Sequence, residues 1–574
     1  MRSFALVIFA MLIVLTPESV EAGFFDDLRE LQEAVKNKNS GSGGDFFRKI
    51  QQNRQKPVKP AVKKQISNSK PKSQQKGAAA AIFGVQKTYR GYSKLYQPVA
   101  ALQLAGKNQE AQKVYRNLVL IPQKKSAVDK QNSGSVKVEK FKDENNSFLN
   151  LVELASLEID AGNGKEAAKH LTAARLELAR QLDSSVVGSG VSSAFAFGVE
   201  TLVGDEELST YSGEGLERVL MLNLYSLAYL LEGDRKAYNA ALRSMTVQKH
   251  EERAFIKQLD KIRRENRSKE QEIESVGVDN SDIQDQISKE YDKYKSVAKR
   301  VENAYAIPFG WYLAGVIKEF DSYRGGRQDS VLLHQAVVLY QRALDIAKLN
   351  HMPHKELAKL LRNLKKNSRG SGEEIRDKKI LHVLIGDGVV PEKKILSLNV
   401  PVKQTVIPLQ IPLYEPIDNK TKRVALHIKQ NGKWQQMPLN SIADIEANFM
   451  RYQEDRKPYL FARVLLAFGR TILEKRALEK AGTFGSIIGQ VRDSMTHPDT
   501  RSWRSVPASF EASRYELDPK HGKTQLRLIS YGKGDKRLGH KDFWVDAASH
   551  NFVYIRSMQN AVTVHNSKKL WINR

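Results

Sequence analysis

The 574-residue chain contains no cysteine at all. That absence excludes disulfides, thiolate metal sites and a cysteine nucleophile, and it removes the residue that a lipobox needs for a lipid anchor. Long apolar runs are equally scarce. Beyond the first 22 residues no segment approaches 18 consecutive apolar positions, so the remainder offers no transmembrane helix. Acidic residues fall short too, with 65 Asp and Glu against 92 Lys and Arg, a formal net charge of +27. Such a field implies an anionic partner.

The N-terminus selects among anionic partners. Arg2 precedes an apolar run from Phe4 to Leu15, and Val20-Glu21-Ala22 places small residues at the −3 and −1 positions of a cleavage site. Residues 1–22 therefore predict a Sec signal peptide, too short in its apolar core to serve as a membrane span. Its removal deletes one Arg and two Glu, raising +27 to +28. The expected location is periplasmic, peripheral to an envelope membrane. Nucleic acid is then disfavoured, and peptidoglycan or an anionic lipid surface becomes the expected polyanion.

Residues 23–84 read as an amphipathic segment followed by a basic tether. Between Phe46 and Gly77 there are ten Lys or Arg, three prolines and no acid, a composition that cannot bury enough apolar surface to fold. A spacer without a ligand is the bland alternative. From about residue 85 the pattern turns helical, and short repeats appear. Gly106, Ala111, Tyr115 and Leu118 share offsets with Gly162, Ala167, Leu171 and Ala174. Ala336, Tyr340 and Ala343 keep the register without the glycine, and Gly233-Asp234 supplies a further turn. A turn glycine, a small residue and a gap-filling aromatic at these offsets predict a tetratricopeptide (TPR)-like α-solenoid over 85–248 and 304–370.

Two segments interrupt it. Residues 183–207 are rich in Gly, Ser and Ala and read as a packed loop. Residues 249–303 are charge-dense and read as a solvated helical hairpin broken at Gly277.

Residues 378–574 change character. "KILHVLIGDGVV" and "QTVIPLQIPLYEP" are strand-like, and Asn431-Gly432 marks a tight hairpin. A helix is expected to begin near Pro458, with Phe461, Leu465, Phe468 and Ile472 as its stripe. The predicted fold class is α+β: the solenoid, followed by a smaller, mostly antiparallel sheet domain with a packed helix.

Tyr211, Gly213, Glu214, Glu217, Arg218 and Val219, followed by Leu231, Gly233 and Asp234, give the chain a resemblance to a bacterial envelope family of TPR-containing proteins, many of them lipoproteins. "DGVVPEKK" (387–394), "DRKP" (455–458) and "DTRSWRSVP" (499–507) follow in that family's order. The resemblance spans about residues 85–560 and implies architecture and envelope location. It implies no activity. The missing lipobox cysteine and the added basic tether depart from the family pattern.

"DTRSWRSVP" is the stretch most like a site. Arg501 and Arg504 could clamp an anion with Trp503 as a stacking face, since guanidinium pairs bidentately with carboxylate or phosphate. Read structurally, Asp499 caps a turn, Trp503 is a plug, and the segment locks the helical and sheet parts together. Ser502 and Ser505 lack an oriented base, so catalysis is not expected. Tyr211, Glu214, Glu217 and Arg218 carry the same two readings, a helix-start cap with an ion pair or a partner grip. His351 and His354 lack a third ligand, so no metal and no cofactor is expected. The last 75 residues carry 14 Lys or Arg against six acids, with Trp503, Tyr531, Phe543, Trp544, Phe552, Tyr554 and Trp571 among them. That mixture suits an anionic glycan or lipid surface, with most of the rings expected in the core.

The functional expectation is a non-catalytic periplasmic scaffold that binds an envelope protein in the solenoid groove. The alternatives are a subunit of a secretion or motility machine, and a glycan-binding effector or enzyme with its site at the junction of the two parts.

Overall fold

The computed structural model describes residues 85–122, 140–189, 210–274, 281–324, 328–368, 379–402, 405–458, 460, 498–559 and 561–573. The chain divides into two compact units, Met1–Ala79 and Ala80–Arg574, and every described residue belongs to the second. The signal peptide, the tether, most of 183–207, Gly277 and the Phe461–Ile472 stripe lie outside the described residues.

The fold is α+β. Strand β1 (Val85–Thr88) is followed by helices α1 (Gly91–Leu95), α2 (Gln97–Leu104), α3 (Asn108–Val119), α4 (Ser147–Asp160), α5 (Gly164–Ser189) and α6 (Gly215–Leu231). Next come α7 (Ala237–Glu274), α8 (Ser281–Asp292), α9 (Lys295–Ala298), α10 (Phe309–Ser322), α11 (Ser330–Leu349) and α12 (Lys355–Asn367). Strands β2 (Lys379–Asp387), β3 (Glu392–Val402), β4 (Thr405–Glu415), β5 (Arg423–Gln430), β6 (Lys433–Met437) and β7 (Asn440–Asp444) lead to helix α13 at 445–458. Strands β8 (Ser509–Leu517), β9 (Lys523–Tyr531), β10 (Arg537–Asp546), β11 (Asn551–Met558) and β12 (Ala561–Asn566) complete it.

The helices α4, α6 and α10 are apolar around nearly their whole circumference and are buried accordingly, as a helix without a polar face must be. Each packs on the helix that follows. Three of the connecting turns are the same device. Gly106, Gly162 and Gly233 all take left-handed φ, at 73°, 85° and 65°. In each the next residue donates its N–H five residues back around the turn: Lys107 to Leu102, Asn163 to Glu158 and Asp234 to Tyr229. These are Schellman ends, which satisfy the last carbonyls of a helix and favour glycine. The repeat residues Ala111, Tyr115, Ala167, Leu171, Ala174, Ala336, Tyr340 and Ala343 are all fully buried, and Leu118 is half-buried.

The sheets form layers. The five-stranded sheet runs β12-β11-β2-β8-β7, antiparallel except for the parallel β11–β2 pair. Its inner strands β2 and β11 bury both faces, which is why "KILHVLIGD" reads as a nearly unbroken apolar run. Ile380 and Leu384 join the helical core, while the alternate Leu381, Val383 and Ile385 face Val424, Leu426 and Leu526 of the four-stranded sheet β10-β9-β5-β6. Helices therefore cover one face of the central sheet and a second sheet covers the other. A three-stranded antiparallel sheet, β1-β3-β4, completes the set.

The small single sheet expected for the C-terminal part is therefore three sheets. Residues 85–88 are a strand rather than the start of the helices, because β1 completes the edge of β3 with Val85 opposite Leu398. The helix expected to start at Pro458 starts at residue 445, where the Asp444 carboxylate accepts the Ala447 N–H. The loop expected from 183 is still helix to Ser189. The charged hairpin is not solvated throughout, since α8 buries Ile287 and Tyr291 and the Tyr291 hydroxyl donates to the Pro412 carbonyl. Asn431 and Gly432 form the expected tight turn, with φ of 47° and 77° and Gln430 opposite Lys433.

The C-terminal strand and tail cross the helix turns in order. A Cβ on Gly106 would lie 1.9 Å from the Ala561 Cβ, one on Gly162 would lie 2.5 Å from the His565 ring, and one on Gly233 would lie 2.4 Å from the Lys569 carbonyl oxygen. Lys568 N–H donates to the Leu231 carbonyl at 2.8 Å, and Trp571 Nε1–H donates to Asp321 at the end of α10 at 2.9 Å. Gly233→Ala should cost more than the roughly 1–2 kcal/mol of a left-handed non-glycine residue, because the obstructing atom belongs to backbone. Gly432→Ala, with the same φ sign and nothing within 4 Å, should cost only the conformational part. Urea unfolding of the two variants measures the difference.

Candidate functional site

The two segments singled out by the sequence meet in the interior. Asp499–Pro507 has no regular secondary structure and lies between the inner helices and the sheets. Three consecutive backbone donors of the loop point at helix carboxylates. Trp503 N–H donates to Glu217 Oε1 at 2.7 Å, Arg504 N–H to Glu153 Oε1 at 2.6 Å, and Ser505 N–H to Glu153 Oε2 at 3.0 Å. Successive N–H groups of this kind make an anion-binding nest. Here the anions are glutamates of α4 and α6.

The side chains are consumed the same way. Arg501 forms a bidentate pair with Asp499, with Nε–Oδ1 and Nη2–Oδ2 both 2.9 Å, and its guanidinium lies 5.0 Å from the Tyr211 ring centre. Arg504 pairs with Glu392 at 2.8 Å and lies over Tyr96. The Trp503 indole is wholly buried, and its N–H reaches Ser156 and Ser505 at 3.0 and 3.1 Å.

The start of α6 is built around Glu214, Glu217 and Arg218. Glu217 Oε2 accepts the Glu214 N–H at 2.9 Å and the Tyr211 hydroxyl at 2.5 Å, a capping arrangement that uses an acid where the helix dipole favours one. Arg218 forms a bidentate pair with Glu251 of α7 at 2.6 and 2.7 Å. Glu214 receives Arg456 at 3.3 Å, the Tyr452 hydroxyl, and Lys393 at 3.6 Å. Lys393 also donates to the Arg501 carbonyl at 2.8 Å, and Val390 N–H to the Val506 carbonyl at 3.1 Å. Residues from four segments quoted in the sequence analysis, 211–218, 387–394, 455–458 and 499–507, thus meet at one node.

Electrostatics separate its acids. Burial pushes Glu153 up to about 7, against the loop hydrogen bonds that favour its anion. Burial also raises Glu217. Burial acts on Glu214 in the same sense, yet Arg456 and Lys393 outweigh it and hold that carboxyl at about 2.

The node is a set of internal ion pairs and caps. Among the described residues no group of three or more His, Asp or Glu is placed to hold a metal ion, and His351 and His354 are engaged separately, with Glu302 and with the Met352 carbonyl. No described helix is long and apolar enough to cross a membrane. His497 lies outside the described residues.

Sequence reasoning named both ends of the node and missed its middle. Glu153 and Tyr452 lie outside every quoted motif, and Glu392, Lys393 and Arg456 stand inside "DGVVPEKK" and "DRKP" without a role of their own. Glu153 carries one readable signal, the single charge inside the mostly apolar "FLNLVELASL", which can be buried only if paired. No family model, no curated protein and no solved structure matches the chain.

Proposed function

We propose that the chain is a non-catalytic, exported adaptor of a bacterial cell envelope, a TPR-like helical array whose inner face is held by its own sheets. The reading keeps the periplasmic location implied by the N-terminal run, the resemblance to the TPR-containing envelope family, and contact of the basic tether with an anionic surface. The observation that carries it is the filled interior. The Asp499–Pro507 loop occupies the inner helices α4 and α6 as an extended peptide would, with three backbone donors on Glu153 and Glu217. Recognition by an adaptor built this way falls to its outer surfaces, because the residues best suited to clamp a partner already hold the loop.

Cross-linking in intact cells, followed by capture of the chain, tests this with wild type beside Arg501→Ala/Arg504→Ala. The same defined protein partners are expected from both, provided circular dichroism shows that the variant folds. Loss of the partners from a folded variant would move recognition to the loop. Capture of glycan or lipid with no protein would overturn the adaptor reading.

A further inference from the structure

The four-stranded sheet packs one face on the central sheet, with Leu426, Ile428, Leu526 and Phe543 turned inward. Alternate residues must point outward, because side chains alternate along a strand. Strand pairing sets Trp434 beside Lys429 and Gln525 beside Trp544, and the Ile428–Leu526 pair puts Lys429 next to Gln525 in register. One row across the sheet therefore reads Trp434–Lys429–Gln525–Trp544. At ~4.8 Å per strand its two indoles stand about 14 Å apart. Trp544 is 53% exposed, a large value for a tryptophan in a regular strand. In the adjoining row Arg527 forms a bidentate pair with Asp542 at 2.6 and 2.7 Å, and its guanidinium lies 4.2 Å from the Trp434 ring centre.

We propose that this outer face binds an acidic polysaccharide strand. The surrounding charge favours a polyanion: Arg423–Met437 and Lys523–Asp546 together carry nine Lys or Arg against three Asp. The centre of the face selects the kind of polyanion. Gln525 stands in the middle of it, on β9, and donates to Asp542 on the neighbouring edge strand β10 at 3.3 Å. Asp542 is neutralised by Arg527, and these polar side chains offer hydrogen bonds to hydroxyls, which a sugar chain supplies along its length. Trp434 already carries Arg527 on one ring face, which closes that face to a nucleobase, whereas single-strand binders stack successive bases on open rings. Trp544 offers a free indole for the apolar side of a pyranose ring. Lys429 and the basic turns meet the polymer's own acidic groups. Between its two rings the row is polar, Lys429 and Gln525, rather than the apolar surface that a bilayer takes up.

The surface deepens the envelope reading and rests on it only for the natural source of the polymer. The test uses the purified full chain without its first 22 residues, titrated with polygalacturonate, neutral dextran, oligo(dT) and vesicles containing anionic phospholipid, all in 0.15 M salt. Binding is followed by tryptophan fluorescence and by co-sedimentation. Polygalacturonate is expected to bind at least tenfold more tightly than dextran. Trp544→Ala, which leaves net charge unchanged, is expected to weaken it at least tenfold. Equal affinity of Trp544→Ala and wild type would overturn the proposal, since attraction to a polycation would then suffice. Tighter binding of oligo(dT) or vesicles would overturn it in favour of those classes. If polygalacturonate binds as expected while a C-terminal alkaline phosphatase fusion stays inactive in cells, the surface stands and the export reading falls.

Discussion

Trp503→Ala is expected to lower the unfolding free energy by about 3–5 kcal/mol, the usual cost of deleting a large ring from a packed interior. The side chain is fully buried, so the cavity has no route to solvent other than collapse of its walls. Those walls are not free to collapse. The Glu153 and Glu217 carboxylates fix the backbone of residues 503–505 from two different helices, and Glu392 fixes Arg504 from a strand. Deleting the ring also takes away the indole N–H that reaches Ser156 and Ser505. Against a domain stability of about 5–15 kcal/mol that loss is large. Trp503→Phe keeps most of the volume and should recover more than half of the loss. A urea midpoint for Trp503→Ala within experimental error of wild type would mean that the loop does not hold helices to sheets.

The contrast between what the sequence makes legible and what it hides is visible in the same node. Helices α4 and α6 could be read directly, since their apolar residues run round the whole axis and only a buried helix does that. The hairpin at Asn431-Gly432 could be read because few residue pairs accept two successive left-handed angles. The Schellman glycines could be read as turns. What they press against could not, because Ala561, His565 and Lys569 lie hundreds of positions away. The pairing of Arg504 and Ser505 with Glu153 spans 351 and 352 residues. Local periodicity records which face of an element is apolar and carries nothing about which acid will meet which donor. Strand β1 was missed for the same reason: four residues become a strand only because β3 presents an open edge. Pro458 misled as a helix start because proline suits a first turn, whereas Asp444 was the true cap. The outer sheet face lay between these cases. The Phe543-Trp544-Val545 alternation encodes one exposed ring between two buried apolar side chains, yet composition alone merges it with the core aromatics.

A second interior carboxylate should govern acid stability. Glu319 of α10 is fully buried, and its two oxygens accept Arg514 Nε–H of β8 at 2.6 Å, the Tyr340 hydroxyl of α11 at 2.9 Å and His382 Nε2–H of β2 at 3.2 Å. One side chain thus ties two helices to two strands. Burial alone would raise this carboxyl, but Arg514 and His382 outweigh it and bring it from 4.5 to about 2. A folded value below the unfolded one contributes stability that is fully present above pH 4.5 and is lost as pH falls towards 2. Glu214 and Glu415, both also near 2, act in the same window and with the same sign. Glu153, raised to about 7, acts oppositely: its contribution is fully present below pH 4.5 and is lost as pH rises through 7. Glu319→Gln removes the anion and leaves the Arg514 guanidinium in the interior with the more exposed Glu516 as its remaining ion-pair partner among the described residues. Breaking a buried pair from one side costs about 3–5 kcal/mol, so at pH 7 the variant should unfold at a markedly lower urea concentration. At pH 3 much of the wild-type advantage should be gone, and the two midpoints should converge. Parallel midpoint curves from pH 7 to pH 3 would show that Glu319 does not carry the charge that the Arg514 and His382 contacts assign to it.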